Sequence, residues 1–153
     1  MTWLLDTNVV SETAKPIPDS KCVAWLTARR GQCVLSAITL AEIRYGIERL
    51  PEGKRKAAVQ VAFQFLMEDY AGHFLDFDGP SATEWGRYAA ELEAAHGSDW
   101  WKHFDLRDTQ IGAIAREYGL TVATRNVKHF PFCSTENPFD YPTIRNCGRG
   151  GHT

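Results

Sequence analysis

The amino-acid sequence predicts an α/β domain built on a mainly parallel sheet of four or five strands. Short apolar runs of strand length alternate with longer stretches whose apolar residues recur at helical spacing. Each run is apolar at successive positions, which is typical of strands covered on both faces of a parallel sheet. A chain of 153 residues that is 44% hydrophobic suits one domain with its own core. We expect that domain over 1–142, followed by a flexible, Gly-rich tail over 143–153.

The strands are expected where the apolar runs lie, and each run ends close to polar residues. The four runs cover 3–6, 33–37, 73–77 and 120–124. The region 131–142 contains three prolines, so it is expected to hold only a short edge strand near 133–135.

Five helices are expected between these strands, each marked by a cap or by an apolar stripe. The first helix is expected to have Asp19 or Ser20 as its N-cap. The fourth begins at Ser81, with Glu84 completing a capping box, and the fifth ends at Gly119, which supplies a left-handed stop. The stripes of the second to fifth helices are Ile43, Gly46, Ile47 and Leu50; Val59, Ala62, Phe63, Leu66 and Tyr70; Trp85, Tyr88, Ala89 and Leu92; and Ile111, Ile114, Ala115 and Tyr118.

Composition narrows the class of protein. A net charge of -2 argues against coating of nucleic acid through many phosphate contacts, so any nucleic-acid site must be local. Residues 1–5 lack the pattern of a secretory signal, and no apolar run approaches the roughly 20 residues that span a bilayer. We expect a cytoplasmic protein with no membrane partner. The cysteines, which show no zinc-binding or redox spacing, are expected to be reduced thiols: Cys22, Cys33, Cys133 and Cys147.

Three acidic residues stand where strands end and helices begin. Asp6 ends the first strand, Glu42 follows the second by a few residues, and Asp108 lies in the first turn of the fifth helix on its apolar stripe. Ligands of open parallel sheets bind outside the carboxyl ends of the strands. Mg²⁺ and Mn²⁺ prefer oxygen ligands. We therefore expect the three carboxylates to converge within bonding reach of one such cation.

Each of these acids also has a purely structural interpretation. Asp6 suits a turn or a helix cap, and Glu42 suits a capping box with Thr39. Asp105 is expected either to cap the fifth helix or to support the metal ligands as a neighbouring carboxylate. The sequence leaves these alternatives open.

Polar residues near the same rim are candidates for substrate contacts. Asn126 offers an amide oxygen and Thr124 a hydroxyl that could orient a ligand or a metal-bound water. Positive charge that could hold phosphates comes from Arg44, Arg125 and Lys128. The expected substrate-binding set is Thr7, Asn8, Arg44, Thr124 and Arg125. His129 suits a surface or supporting position better than ligation of a hard cation.

Trp100 and Trp101 lie together in an aromatic loop, 96–104, that leads into the fifth helix. The loop is expected to contact a partner or to join the core.

Four strings resemble the PIN-domain ribonucleases, and in particular the VapC and FitB type toxins of prokaryotic toxin–antitoxin pairs. They are LLDTN at 4–8, LSAITLAEIRYGI at 35–47, DTQIGAIA at 108–115 and ATRNVKHF at 123–130. They occur in the family's order and spacing and span about 130 residues of the chain.

The resemblance implies a three-layer α/β/α fold, a Mg²⁺ or Mn²⁺ cofactor, a homodimer and inhibition by a small antitoxin of the VapB or FitA kind. Asp6, Glu42 and Asp108 match the family's acidic triad, and Asn126 matches its fourth polar position. The family often has an acid at the position of His129, so the sequence leaves open whether a second metal binds.

The implied function is metal-dependent hydrolysis of RNA phosphodiester bonds by a toxin. Asp6 and Asp108 would hold the metal, directly or through waters, while Glu42 ligates or orients the attacking water. The main alternative is a noncatalytic PIN-like scaffold that binds RNA or protein. A haloacid dehalogenase type phosphatase is disfavoured because its pattern needs a second acid where Asn8 stands. A receiver-like module is disfavoured because no acid accompanies Asp6 and no matching Lys follows the last strand.

Overall fold

A computed structural model describes residues 2–142 and contains one sheet of five parallel strands. Across the sheet the strands lie in the order β3-β2-β1-β4-β5. Their bounds are β1 Trp3–Leu5, β2 Cys33–Ser36, β3 Phe74–Leu75, β4 Thr121–Ala123 and β5 Thr135–Glu136. The expected parallel sheet is therefore confirmed, with the edge strand two residues later than its predicted start.

Six α-helices connect and cover these strands within the described residues. They are α1 Thr7–Glu12, α2 Ser20–Ala28, α3 Ala37–Glu48, α4 Lys54–Asp69, α5 Gly79–His96 and α6 Leu106–Tyr118. Short 3-10 turns follow at Trp100–Lys102, Val127–His129 and Pro138–Asp140. None of the helices in 2–142 combines the length and the apolar character needed to cross a membrane.

Side chains on the two faces of the sheet belong to two separate cores. On β1, Leu4 packs in one core with residues of α6, such as Ile111, while Leu5 packs in the other with residues of α1 and α2, such as Val9 and Trp25. This alternation follows from the two-residue repeat of a strand. Helices on both faces of the sheet make the fold a three-layer α/β/α sandwich, as expected.

The register of the strands brings polar residues together at the carboxyl-terminal ends of the strands, which we call the carboxyl edge of the sheet. Leu5 pairs with Ala123, and the N–H of Asp6 donates to the carbonyl of Ala123 at 2.9 Å. Asp6 directly follows β1 and Thr124 directly follows β4, so the two residues lie side by side. Only Gly119 and Leu120 separate α6 from β4, so the helix runs back along the sheet and its first turn, with Asp108, lies at the same edge.

Helix starts differ from the sequence prediction at three places. No helix was predicted directly after β1, yet α1 begins at Thr7 because Asp6 caps it. Helix α5 begins at Gly79 with Asp78 as its N-cap, so the predicted start at Ser81 is wrong. The N-cap of α3 is Ser36, whereas the alternative capping box of Glu42 would have placed it at Thr39.

Side-chain contacts explain why the predicted capping box does not form in α5. The N–H of Ser81 bonds the Asp78 carboxylate, and the Ser81 hydroxyl donates to Glu117. Glu84 pairs instead with Arg116, at 3.0 Å, and with Arg87.

Several smaller expectations can also be compared with the fold. Asp19 caps α2, and Gly119 ends α6 in the left-handed conformation with a φ of 66°, both as predicted. Tyr118 was expected to face the core but is 45% exposed. The cysteines at positions 22, 33 and 133 are free thiols, as expected. Cys147 and the predicted tail at 143–153 lie outside the described residues.

Helices α5 and α6 approach closely at Gly112. An added Cβ atom there would lie 2.8 Å from the ring of Tyr88 and 3.2 Å from the Cys133 sulfur. Tyr88 is itself fully buried and its hydroxyl donates to the carbonyl of Pro131. The helix that carries Asp108 is thus fixed against α5 by a contact that admits no side chain.

Candidate functional site

Asp6 fills the structural role that the sequence left open for it, because it caps α1. Its Oδ1 caps α1 by accepting the N–H of Thr7 at 2.8 Å. Its Oδ2 accepts the Thr124 hydroxyl at 2.8 Å and the Asn8 amide at 3.1 Å. A carboxylate offers about four lone-pair sites. One of these remains for a further ligand, so the cap does not exclude metal binding.

Glu42 does not form the alternative capping box with Thr39, because Ser36 accepts the N–H of Thr39 at 3.1 Å. The Oε1 of Glu42 instead accepts a hydrogen bond from the Thr7 hydroxyl at 3.1 Å. This contact joins α3 to the residue that directly follows Asp6. The Glu42 side chain is 19% exposed and therefore faces the edge of the sheet while remaining partly accessible.

Asp108 lies in the first turn of α6 and is 18% exposed. Its Oδ2 is 3.3 Å from Nδ1 of His129, which follows β4. His129 thus occupies a supporting position beside an acidic residue, which agrees with the sequence expectation. At this distance the imidazole lies against the carboxylate and acts on it electrostatically.

The pKa values of all three carboxyls are raised, first of all by burial. The pKa of Asp108 rises to about 7, with the charges of Asp6 and Asp105 as the next causes and His129 opposing them. The pKa of Glu42 is raised by burial and, less strongly, by the charge of Asp6. The pKa of Asp6 is raised by burial against the lowering effect of its hydrogen bonds. The charge of Asp6 raises the pKa values of Glu42 and Asp108, and the charge of Glu42 raises that of Asp108, so the three carboxylates form one electrostatic cluster.

The chemistry of this cluster suits a hard cation, although its geometry is not a closed cage. Within residues 2–142, no group of three or more His, Cys, Asp and Glu side chains is arranged to hold a metal ion by itself. The expected convergence of all three acids within bonding reach of one cation is therefore absent. Mg²⁺ usually binds one or two carboxylates and keeps several waters. Two carboxylates that bind Mg²⁺ directly, with the third acting through a water, would fit this preference.

Several residues predicted to touch substrate instead support Asp6. Thr124 is fully buried, so its hydroxyl serves Asp6 and is closed to substrate in this conformation. Asn8 bonds Asp6 through its amide and accepts the N–H of Arg125 at 3.2 Å. Asn126 is exposed beside them, and its N–H donates to the Thr124 hydroxyl at 3.0 Å.

Two of the three predicted phosphate-binding cations, Arg44 and Arg125, are engaged elsewhere. The Arg44 guanidinium pairs with Glu48 at 2.8 Å, one turn further along α3. The Arg125 guanidinium lies over the ring of Phe139, 4.4 Å from its centre. Lys128 is exposed on the turn after β4.

Sequence reasoning missed Arg107, which lies directly before Asp108. Its guanidinium forms a two-point contact with Asp105, from Nε to Oδ1 at 3.2 Å and from Nη2 to Oδ2 at 3.1 Å. Its Nη1 lies 3.8 Å from Oε2 of Glu42. Asp105 also caps α6, as one of its two predicted roles required. The signal for Arg107 in the sequence was only its position between two acids.

The aromatic loop contains one partly buried tryptophan, Trp100, and one exposed tryptophan, Trp101. Trp100 packs against Trp85, whose indole N–H donates to the Thr109 hydroxyl at 3.0 Å. Trp101 is 62% exposed, with the Lys102 ammonium 5.5 Å from its ring centre. The loop is thereby tied to the helical turn that carries Asp108.

Comparison with known proteins identifies the family. Residues 3–131 match the PIN domain. The chain belongs to the PIN-domain family. The acids at positions 6, 42 and 108 all lie within the matched part of this PIN domain.

Named relatives of this PIN-domain protein include toxins and ribonucleases. The toxin FitB of Neisseria gonorrhoeae is 39% identical over 129 residues, which cover 83% of this chain and 89% of that protein. The VapC ribonuclease Y4jK of Sinorhizobium fredii is 33% identical over 141 residues, covering 90% and 97%. The tRNA(fMet)-specific endonuclease VapC of Shigella flexneri is 31% identical over 130 residues, covering 85% and 90%.

Solved structures with the same fold include toxin–antitoxin complexes. The crystal structure of FitAcB from Neisseria gonorrhoeae superposes with a TM-score of 0.78 at 34% identity, covering 91% of this chain and 99% of that one. The structure of FitAB bound to an IR36 DNA fragment gives a TM-score of 0.80 at 33% identity, covering 94% and 100%. DNA-bound VapBC from Salmonella typhimurium, at 24% identity and a TM-score of 0.75, shows the shared fold.

Proposed function

We propose that this PIN-domain protein is a metal-dependent endoribonuclease, the toxin of a toxin–antitoxin pair, which hydrolyses RNA phosphodiester bonds with Mg²⁺ or Mn²⁺. The observation that carries the proposal is the electrostatic cluster of Asp6, Glu42 and Asp108 at the carboxyl edge of the sheet. The names of two of the relatives, the VapC ribonuclease Y4jK and the tRNA(fMet)-specific endonuclease VapC, support RNA as the substrate. Buried acids that raise one another's pKa values are a costly arrangement, which a bound cation would relieve.

Asp6 and Asp108 are the residues that would hold the metal. Asp6 has one lone-pair site left after its three hydrogen bonds, and the pKa of Asp108 is raised because burial and neighbouring acids disfavour its charged form. When bound, the cation would polarise the scissile phosphate and lower the pKa of a water. His129 lies beside the Asp108 carboxylate, with its Nδ1 3.3 Å from Oδ2.

Glu42 is proposed to orient the attacking water and to accept its proton. The Thr7 hydroxyl already occupies Oε1, so Oε2 is the oxygen available to the water. Burial raises the pKa of Glu42, which makes this carboxylate a stronger base than an exposed one. The fixed contact to Thr7 limits rotation of the carboxylate.

Asn8 and Thr124 act as the support that keeps Asp6 in place, and Asn126 lies at the exposed side of that support. Asn126 is proposed to complete the catalytic set through its amide. None of these roles requires the 2'-hydroxyl of the substrate as nucleophile, so the preference for RNA rests on the relatives' names.

A small antitoxin of the VapB or FitA kind is the proposed protein partner. The FitAB and VapBC complexes among the related structures support it. We also propose a homodimer in the cytoplasm that forms a heterotetramer or a larger assembly with the antitoxin. Co-expression of the gene with its upstream or downstream neighbour, followed by size-exclusion chromatography with light scattering, tests both proposals.

Cleavage of RNA by the purified chain separates the nuclease from a noncatalytic PIN-like scaffold. Total RNA is incubated with Mg²⁺, Mn²⁺ or EDTA, and the cleavage sites are mapped. The nuclease proposal expects discrete cuts with either metal and none in EDTA. RNA binding without metal-dependent cuts would support the scaffold instead.

Matched variants assign any cleavage to the acidic cluster. Asp6→Asn, Glu42→Gln and Asp108→Asn are expected to lower the rate at least about 100-fold. Asn remains a good helix cap, so Asp6→Asn keeps the start of α1 intact. Glu84→Gln is the control. The Glu84 side chain is 17% exposed, much like those of Glu42 and Asp108, but it lies on α5 and pairs with Arg116 of α6. Cleavage at the wild-type rate in all three site variants would remove the assignment.

A further inference from the structure

The guanidinium of Arg107 is fixed by one carboxylate while part of it remains unused. Nε and Nη2 donate to the two oxygens of Asp105, at 3.2 and 3.1 Å. A guanidinium carries five N–H groups in a planar fork, so this contact leaves three for other acceptors. Asp105 is itself fixed as the N-cap of α6 through the Arg107 N–H at 2.8 Å.

The unused part of the fork faces the acidic cluster. Nη1 lies 3.8 Å from Oε2 of Glu42, which is within ion-pair range but too long for a hydrogen bond. The side chain of Arg107 is 50% exposed, so a substrate group can reach it. Arg107 is therefore a fixed cation with unused hydrogen-bond donors, and it lies beside Glu42, the proposed water-orienting carboxylate.

The negative charge of the cluster would repel the phosphates of an entering RNA, and a fixed cation would offset part of that repulsion. Asp6, Glu42, Asp105 and Asp108 all contribute negative charge at this edge. Arg107 lies among these acids, and its guanidinium stays charged at every physiological pH. Arginine also binds phosphate oxygens with two parallel hydrogen bonds, in a geometry that lysine does not provide.

We propose that Arg107 binds a nonbridging oxygen of the scissile phosphate of the RNA, and that Asp105 is the positioning residue that holds its guanidinium. The inference rests on the proposed ribonuclease function and assigns within it a phosphate contact that the sequence had placed at Arg44, Arg125 and Lys128. Arg44 and Arg125 direct their guanidinium groups to Glu48 and to Phe139.

Steady-state cleavage of a short RNA containing the mapped site tests the contact. We expect Arg107→Gln to lower kcat/KM about 10- to 100-fold, mostly through kcat, because the bond to the phosphate strengthens as charge develops in the transition state. Arg107→Lys restores the charge without the fork and is expected to recover only part of the loss. The control Arg87→Gln removes an exposed arginine paired with Glu84 and leaves both constants unchanged.

The salt dependence of RNA binding distinguishes a phosphate contact from a structural role. Binding is followed by fluorescence anisotropy with Ca²⁺ in place of Mg²⁺, across a series of salt concentrations. Loss of one contact to single-stranded RNA is expected to reduce the slope of log K against log salt by about 0.7 in Arg107→Gln. A protein that merely lost local structure would bind more weakly with an unchanged slope.

Asp105→Asn tests the positioning role, since Asn keeps the helix cap but lacks the charge that orients the guanidinium. We expect an intermediate loss of kcat/KM and no further loss when Asp105→Asn is added to Arg107→Gln. Wild-type kcat/KM or an unchanged salt slope in Arg107→Gln would overturn the inference while leaving the nuclease proposal standing. Absence of cleavage by the wild-type protein would overturn both.

Discussion

The hydroxyl oxygen of Thr7 lies 3.1 Å from Oε1 of Glu42, so the residue directly after Asp6 holds the carboxylate that projects from α3. The same threonine donates its N–H to Asp6. Thr7, the first residue of α1, therefore fixes two of the three acids relative to each other. This arrangement gives the cluster an order that does not depend on a bound metal.

Removal of the Thr7 hydroxyl is expected to impair cleavage without unfolding the protein. In Thr7→Val, Glu42 loses the donor that limits its rotation, and we expect kcat to fall about tenfold. Thr7→Ser keeps the hydroxyl and serves as the control, with a rate within about twofold of wild type. The measurement is the initial rate on the mapped RNA substrate. Equal rates in Thr7→Val and Thr7→Ser would show that the contact has no catalytic role.

The buried charge of Asp108 is expected to cost stability in the metal-free protein. Its pKa of about 7 in the folded state exceeds the value of about 3.9 for an exposed Asp. The group's contribution to stability is therefore complete below about pH 4 and is lost as the pH rises through 7. We expect Asp108→Asn to raise the free energy of unfolding in EDTA at pH 8 by about 1 to 3 kcal/mol.

Urea unfolding of both proteins between pH 4.5 and 8 measures this difference. The gain from Asp108→Asn should shrink to below about 1 kcal/mol at pH 4.5, where the folded wild-type carboxyl is protonated. A gain that is the same at both pH values would mean that proton release by Asp108 is not its cause.

Divalent cations should narrow the difference in stability between the wild-type protein and Asp108→Asn. A ligand that binds only the folded state stabilises it by about 1.4 kcal/mol at ten times its Kd. We expect Mg²⁺ at pH 8 to raise the Tm of the wild-type protein and of Glu84→Gln, but not that of Asp108→Asn. NaCl at equal ionic strength controls for screening of the clustered charges. A similar rise of Tm in all three proteins would point to binding outside the cluster.

The close approach at Gly112 predicts a purely structural defect. In Gly112→Ala the new methyl group would meet the Tyr88 ring at 2.8 Å, so α6 must shift away from α5. We expect a loss of about 1 to 3 kcal/mol in the free energy of unfolding. Gly86→Ala is the control, because nothing lies within 4 Å of a Cβ atom placed there. If both variants were equally stable, the helices would have room to adjust.

The layers of the fold could be predicted from the sequence because strand and helix periods are local signals. Leu4 and Leu5 face opposite cores, and their run of apolar residues indicated a strand covered on both sides. The start of α5 was misplaced because Asp78 and Ser81 both suit a cap, and only the contact of Ser81 with Glu117 decides between them. Helix α1 was missed because its six residues are too few for a periodic pattern.

Asp6 and Glu42 were proposed from their positions after strands and Asp108 from the first turn of a helix, whereas the partners of these acids could not be predicted. The bond from Thr124 to Asp6 joins residues 118 apart in the sequence and follows from the pairing of β1 with β4. The importance of Arg107 depends on the direction of its guanidinium, which its neighbours in the sequence do not reveal. Arg44 lies as near to Glu42 along the chain but turns toward Glu48.

Binding of Mn²⁺ to the metal-free protein at pH 8, followed by electron paramagnetic resonance, tests the central claim most directly. The account predicts that Asp6→Asn and Asp108→Asn each weaken Mn²⁺ binding at least about tenfold, that Glu42→Gln weakens it less because this residue acts through water, and that Glu84→Gln has no effect. Unchanged Mn²⁺ affinity in Asp6→Asn and Asp108→Asn would contradict the account.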